Sequence, residues 1–529
     1  MKKNDLCEIR IEDMGKDGEG IGHVDGMTIF VKDTVVGDRA TVKLMKVKKN
    51  MAFARLMEIL EPSPYRVTPV CEAARACGGC TLQHISYEKQ KELKQSHVLN
   101  CLTRIGGLSD VEEKMEPLIG MEDPFHYRNK MQFPVGLDAA GCPQLGFYAG
   151  RTHSLIPLTD CPVGHPVNRV LLAAFREYLS EAGVKVYDEE SHSGLARHLL
   201  TRVGFATEEV MVCVVINGRK LPKQELLVEK LQTAIGRWNL EAEAKEERET
   251  EQGKTAKGER TASQEQPAKA ERELQTGDML TLASVTFSIN EEKTNRILGD
   301  HSEVIFGNGY IEDRIGSVTF RISPESFFQV NPVQTVRLYG KALEYAGLTG
   351  SEVVWDMYCG IGTISLFLAE KAKKVFGVEI VPQAIQNAKE NAERNQIGNA
   401  EFFVGKAEDV VPRLYAEDPE KYRADVVVVD PPRKGCDAEL LTTLLSMAPD
   451  RIVYVSCDPA TLARDIKILG EGGYAVEKVT PVDMFPGSMH VETCCLLERL
   501  RNAKDHVTFT LDMEDYYRIK DAEADKEKR

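Results

Sequence analysis

The chain has 529 residues, of which 42% are hydrophobic and 28% charged, with a net charge of −15 and 13 cysteines. Such a length exceeds one ordinary core and implies several domains. The composition excludes a disordered chain, and no stretch approaches the ~20 apolar residues of a membrane span. The acidic balance excludes a uniformly basic nucleic-acid binder, though not a local basic face. The opening "MKKNDLCEIRIEDMG" lacks the apolar core of a signal peptide, which predicts a cytoplasmic protein whose cysteines are free, not a disulfide framework.

Residues 1–61 read as short alternating strands separated by glycine and Asp-Gly turns, and predict a small OB-like β-barrel. Between Arg39 and Arg55 lie six basic residues and no acidic one, a stripe suited either to phosphate contacts or to a solvated edge strand. "EPSPYR" breaks the pattern. Residues 62–334 then form a mixed α+β central region, rich in cysteine at its start. Within it, residues 241–276 hold ten glutamates, seven basic residues, one leucine and no aromatic. Such a segment cannot bury enough apolar surface to fold alone and reads as a flexible insertion.

From 335 to 503 apolar strands alternate with helical patterns, the rhythm of an α/β, doubly wound, Rossmann-like sheet. A charged tail, 504–529, follows. Ligands of such sheets bind at the carboxyl ends of the strands. The first strand leads into "DMYCGIGT", where Asp356, Gly360 and Gly362 allow close backbone approach without a dinucleotide or phosphate-loop fingerprint. The second ends at Glu379, placed to hold ribose hydroxyls. "GKAEDV" follows the third, and the fourth ends at Asp430 of "DPPRKG". This ordered series fits S-adenosylmethionine.

Two thiol features stand out. Cys71, Cys77 and Cys80 fall within ten residues around a Gly-Gly turn, and Cys161 is a distant fourth, with Cys142 competing for that place. Four thiolates can hold zinc or an iron–sulfur cluster, and this spacing favours a cluster. In "RIVYVSCDPATLARD", Cys457 stands where a strand gives way to a helix. It is either a nucleophile or one more small core residue.

Taken together, "CGGC", "YRNKMQF", "SPESFFQVN", "DMYCGIGT", "DPPRKG", "VSCDPATLARD" and "DMFPGSMHVET" resemble the RNA uracil-5-methyltransferases, in particular the ribosomal RNA branch with a TRAM barrel. The resemblance spans nearly the whole chain apart from 241–276 and the tail. It implies a [4Fe–4S] centre on Cys71, Cys77, Cys80 and Cys161. It further implies cofactor contacts from Gln329, Tyr358, Glu379 and Asp430, a Cys457 nucleophile and a Glu492 base. One departure is Gly487, where related sequences often carry histidine; His490 and Glu492 stand in place.

The chemistry makes sense of these groups. Carbon 5 of uracil is a poor nucleophile until a thiolate adds at carbon 6, and a base must later remove the carbon-5 proton. Positive neighbours and the helix beginning near Pro459 are expected to lower the pKa of Cys457. Phe327 and Phe328 are candidates to stack on the displaced base, and Cys494 and Cys495 read as core. The expectation is a monomeric 23S ribosomal RNA uracil-5-methyltransferase. The alternatives are a transfer-RNA enzyme or a non-catalytic RNA-binding assembly factor.

Overall fold

A computed structural model describes residues 1–150, 152–256 and 279–500. The charged tail and residues 257–276 of the expected insertion lie outside the described residues.

The N-terminal region is one six-stranded sheet. It consists of β1 (Leu6–Arg10), β2 (Asp13–Met14), β3 (Gly20–Val24), β4 (Met27–Val31), β5 (Arg39–Val47) and β6 (Met51–Glu61). Alternation sets its faces: Ala40, Val42 and Leu44 are fully buried with Ile29 and Val31, while the intervening residues point outward. Outward positions pair Lys43 with Arg55 and Lys46 with Phe53. Arg39 is spoken for by Glu8 and Glu61, at 3.9 and 3.3 Å.

The central sheet runs β13-β12-β11-β10-β7-β8-β9. Its strands are β7 (Lys130–Leu137), β8 (Pro143–Tyr148), β9 (Leu155–Pro157), β10 (Ala196–Val203), β11 (Glu209–Ile216), β12 (Thr281–Ile289) and β13 (His301–Gly307). Preceding it are α1 (Tyr87–Arg104) and the short α2 (Val111–Lys114); inserted in it are α3 (Asn168–Ala182) and α4 (Gln224–Ala256). The latter two cover one face, over Phe133, Leu199, Val212 and Phe287. Helix α1 goes elsewhere: its Val98 and Leu102 join the core of the C-terminal sheet.

Helix α4 continues to Ala256, so the first part of the expected insertion is helical. Its first half is anchored by buried Leu227, Leu231, Ile235 and Trp238. Once that nucleus is formed, an Ala/Glu/Lys-rich continuation adds turns at little cost.

The hairpin β14 (Ile311–Ile315) and β15 (Val318–Ile322) leads to α5 (Pro332–Ala346). Its N-cap is Asn331, whose side chain accepts from the Gln334 N–H, with Pro332 in the first turn. The C-terminal sheet then follows. Its elements are β16 (Val353–Asp356), α6 (Thr363–Ala369), β17 (Lys374–Glu379), α7 (Pro382–Arg394), β18 (Ala400–Val404), α8 (Ala407–Glu417), β19 (Val426–Val429), α9 (Ala438–Met447), β20 (Arg451–Ser456), α10 (Pro459–Glu471), β21 (Tyr474–Val482) and β22 (Glu492–Arg499). The order is β18-β17-β16-β19-β20-β22-β21, parallel except for β22. The fold is α/β and doubly wound: Val426 and Val428 enter one core, Val427 and Val429 the other. Cys494 and Cys495 divide between the same two cores, both fully buried as expected. Among the described residues no helix is long and apolar enough to cross a membrane.

Candidate active site

The carboxyl ends of the C-terminal strands open into a cleft of about 1500 Å³. Gln329, Tyr358, Glu379, Asp430, Cys457 and Glu492, drawn from a 164-residue span of sequence (329–492), all line it. The crossover at β16 explains the convergence, since neighbouring strands there run to loops on opposite sides.

After Asp356 the chain must turn at once into α6. Gly360 and Gly362 do this with φ of +54° and +83°, and a Cβ on Gly362 would press to 3.2 Å against Phe402. Asp356 is fully buried and accepts from Ser365 Oγ at 2.6 Å. Burial nevertheless pushes its pKa up to about 6. Glu379, at the end of β17, accepts from the Val381 N–H at 3.0 Å and keeps a face toward the cleft. Lys406 and Glu408, of the "GKAEDV" segment, line the same wall.

Strand register brings the thiol and its partner together. Ser456 of β20 pairs with Thr493 of β22, so one further antiparallel step sets Cys457 across from Glu492. Glu492 is 5% exposed, and burial, reinforced by Asp430 and opposed by Arg433, raises its pKa to about 8. Asp430 is pushed to about 7 by burial and by the charge of Asp356. Cys457 rises to about 11 through burial, then through Glu492 and Asp430, with Arg433 acting against them.

That result overturns the expectation of a lowered Cys457 pKa. The helix N-terminus following the thiol is already occupied. The carboxylate of Asp458 accepts from the Ala460 and Thr461 N–H groups at 2.9 and 3.2 Å. The nearest strong charges on the thiol are carboxylates from other strands, and Arg433 is the single cation among the main influences. Arg433 follows the Asp-Pro-Pro strand end and acts on Cys457, Glu492 and His490 alike. The sequence reading passed over it, although a cation directly after a strand-terminal acid was a usable signal.

The two adjacent phenylalanines separate completely. Both border the cleft, but Phe328 is 3% exposed and packs 6.0 Å from Phe320, centroid to centroid, whereas Phe327 is 73% exposed. Stacking on a base is therefore open to Phe327, and Phe328 is core.

The cleft floor suits a cationic cofactor. Two carboxylates that line it, Asp430 and Glu492, have their ionised forms disfavoured by burial and by a neighbouring carboxylate, Asp356 acting on Asp430 from behind the cleft and Asp430 acting on Glu492. A sulfonium cation bound among them relieves that penalty, and Glu379 offers a carboxylate to hydroxyl groups. The residues fit S-adenosylmethionine.

On other elements, Cys71, Cys77 and Cys80 sit half-buried on the loop between β6 and α1, and Cys161 is buried after β9. The loop is docked by a bridge between Cys77 and Ala149, and within it the Cys71 N–H donates to Gln83 Oε1 at 3.1 Å. The thiols lie within electrostatic reach of one another. After burial, Cys71 and Cys77 raise Cys80, and Cys80 and Cys71 raise Cys161, to about 12. Cys142 is exposed at the β7–β8 turn. Among the described residues no group of three or more His, Cys, Asp or Glu is already arranged around a metal-sized point. Four thiols are donors of the kind that hold zinc or an iron–sulfur cluster. The same loop touches the active site: Leu82 N–H donates to Gly487 O at 2.8 Å, and Gly487 N–H to Gln90 Oε1 at 3.0 Å. Gly487 holds φ at +82° with Cys80 beside it, which accounts for glycine at this position.

Comparison with known proteins agrees with this geometry. Residues 288–500 match the family described as tRNA (uracil-5-)-methyltransferase, and residues 3–57 match the TRAM domain. A protein of Halalkalibacterium halodurans named as an uncharacterized RNA methyltransferase is 44% identical over 498 residues, covering 94% of this chain and 98% of the other. A Clostridium acetobutylicum protein of the same description is 43% identical over 500 residues, with coverage of 94% and 98%. Among solved structures, a Pyrococcus abyssi tRNA (uracil-54, C5)-methyltransferase in complex with S-adenosyl-L-homocysteine superposes with a TM-score of 0.67. It is 26% identical and covers 93% of this chain and 100% of its own. With the cleft, its acids and a near-full-length likeness in agreement, the chain belongs to the family of S-adenosylmethionine-dependent RNA uracil-5-methyltransferases.

Proposed function

We propose that the protein methylates carbon 5 of a uridine in 23S ribosomal RNA through a covalent bond between Cys457 and carbon 6. The observation that carries this reading is the register that sets Cys457 across from Glu492 at the cleft. Gln329, Tyr358, Glu379 and Asp430 hold S-adenosylmethionine, which supplies the methyl group and a positive charge. Cys71, Cys77, Cys80 and Cys161 hold a [4Fe–4S] cluster, whose part is to order the loop against Gly487.

The Cys457 thiol loses its proton to solvent, and this is the proton released per turnover. The sulfur then bonds to carbon 6, and the carbon 5–carbon 6 pair moves toward the carbonyl oxygen, making carbon 5 nucleophilic. Once carbon 5 is methylated, Glu492 takes its proton. The freed pair rebuilds the double bond as the sulfur–carbon bond breaks, and Glu492 returns the proton to sulfur. A base with a pKa of about 8 is matched to this double duty near neutral pH. Phe327 stacks on a displaced base. On the TRAM domain Phe30 and Phe53 are stacked, with ring centroids 5.4 Å apart, beside outward Lys43, Lys46 and Arg55, a surface for flanking RNA. The protein works as a monomer in the cytoplasm.

A second reading has its own support. The Pyrococcus abyssi structure, which spans 93% of this chain, is that of a transfer-RNA enzyme. Carrying these domains is thus no argument against transfer RNA. Mapping 5-methyluridine in ribosomal and transfer RNA from cells lacking the gene decides between them. The mechanism is tested with RNA containing 5-fluorouridine, where the fluorine blocks proton removal. A stable adduct is expected with the native protein, and its persistence in Cys457→Ala would refute the nucleophile.

A further inference from the structure

The wall of the cleft carries Arg128, with two more cations close by and a single carboxylate, Glu325, acting on them. Arg128 lines the cleft, and Lys130 opens β7 two residues on, near enough for the charge of Arg128 to act on it. The segment's main chain is fixed: Arg128 N–H donates to Val163 O at 2.8 Å, and Asn129 N–H to Val330 O at 2.9 Å. The Asn129 amide also holds Gln329 O at 3.0 Å, tying this segment to the "SPESFFQVN" loop. The two side chains are left free. Neither the guanidinium of Arg128 nor the ammonium of Lys130 has a hydrogen-bond or ion partner among the described residues.

A third cation stands beside them. Arg202 pairs with Lys130 across the sheet, is 2% exposed, and donates to the main-chain oxygen of Ser326. Its Nε is buried with no acceptor. The one acid acting on Lys130 and Arg202 is Glu325, which also accepts from Ser302 Oγ; Lys130 is pushed down to about 8 by burial and by its two cationic neighbours, with Glu325 opposing them. Three partly or fully buried cations set against one carboxylate leave an excess of positive charge that is costly unless an anion completes the site. A phosphodiester, flanked by bases that can lie on Phe327, has the charge and acceptor oxygens to do so.

We propose that Arg128 and Lys130 together grip one phosphodiester of the RNA strand beside the reacting uridine, with Arg202 as the positioning residue that holds the Phe327 loop over it. This rests on the methyltransferase reading above and adds to it the group that fixes the strand's register.

The test uses the full chain and fluorescein-labelled oligouridylate, with affinity measured against salt concentration. Each phosphate contact on a single strand contributes about 0.7 to the slope of log K against log salt. Arg128→Gln and Lys130→Gln are each expected to lower the slope by about that amount and the affinity by roughly tenfold. The double variant is expected to lose no more slope than either single one, because both side chains hold the same phosphate. A methylphosphonate-linked oligouridylate, which keeps the bases and lacks the charge, is expected to bind native and variant proteins alike. Unchanged S-adenosylhomocysteine affinity shows that the variants are folded. An unchanged slope in both single variants overturns the proposal, as does an additive loss in the double variant. Methyl transfer by the native protein is followed in parallel, so an unchanged slope with active native enzyme removes the anchor alone. A lowered slope without methyl transfer keeps the anchor and removes the methyltransferase reading.

Discussion

Two regions of the molecule concentrate thiols, and they hold them in opposite ways. Cys457 sits at a strand end facing carboxylates from neighbouring strands, with Arg433 as its cation. Cys71, Cys77, Cys80 and Cys161 sit on loops facing one another. Burial raises the pKa of a thiol in both places, so burial alone does not tell a nucleophile from a ligand. The neighbours do. Carboxylates able to take a proton suit covalent chemistry, and mutually repelling thiols suit a shared cation.

The largest effect that sharpens this contrast belongs to Cys457→Ala. Turnover is expected to fall by about 10⁴-fold or more, as for other lost nucleophiles, with iron and sulfide content unchanged by chemical analysis. Iron lost along with activity would erase the distinction between the two regions.

Glu492→Gln comes next, with kcat expected to drop about 10³-fold and a protein–RNA adduct to accumulate on denaturing gels even with ordinary uridine. The same variant carries a stability signature with a definite sign. Folded Glu492 holds its proton up to about pH 8, whereas the unfolded carboxyl releases it near its ordinary value of 4.5. Between those values the native state binds more protons, so native stability declines as pH rises toward 8 and levels off above it. Glutamine removes that decline, and Glu492→Gln is expected to be the more stable protein at pH 9, by on the order of a few kcal/mol. Thermal melts of both proteins from pH 5 to 9 measure it. In the native enzyme kcat/KM is correspondingly expected to rise with pH through about 8, the value for Glu492.

For the loop thiols the order of effects reverses. Cys80→Ser and Cys161→Ser are expected to lose iron and sulfide together and to lower the melting temperature by several degrees, while Cys142→Ser changes neither. Iron retained by Cys161→Ser and lost by Cys142→Ser would reassign the fourth ligand. The smallest effect is that of Phe327→Ala, an expected rise in KM for RNA of about tenfold, in line with one lost stacking contact, with S-adenosylhomocysteine binding intact.

How much of this could be read from residues alone varies with the range of the interaction. The strand–helix rhythm, the glycine turn after Asp356 and the strand-end position of Cys457 are local, and local patterning reports them faithfully. The fate of Phe327 and Phe328 is not, because alternation in an irregular loop follows what packs against it. Arg39 looked equivalent to its basic neighbours until the sheet brought Glu8 and Glu61 alongside. The sign of the Cys457 shift was missed for the same reason. Asp458 lies next in sequence and takes the helix N–H groups, and Glu492 arrives 35 residues later on an antiparallel strand.

By itself the sequence determined the α/β class, the series of acids at strand ends and the thiols available for chemistry, since these depend on composition, period and turn residues within a few positions. Only the tertiary structure decided which charges surround each thiol, which phenylalanine is left exposed and where cations outnumber acids. Electrostatic and packing energies depend on distance in space and on exclusion of water, and neither is written in separation along the chain.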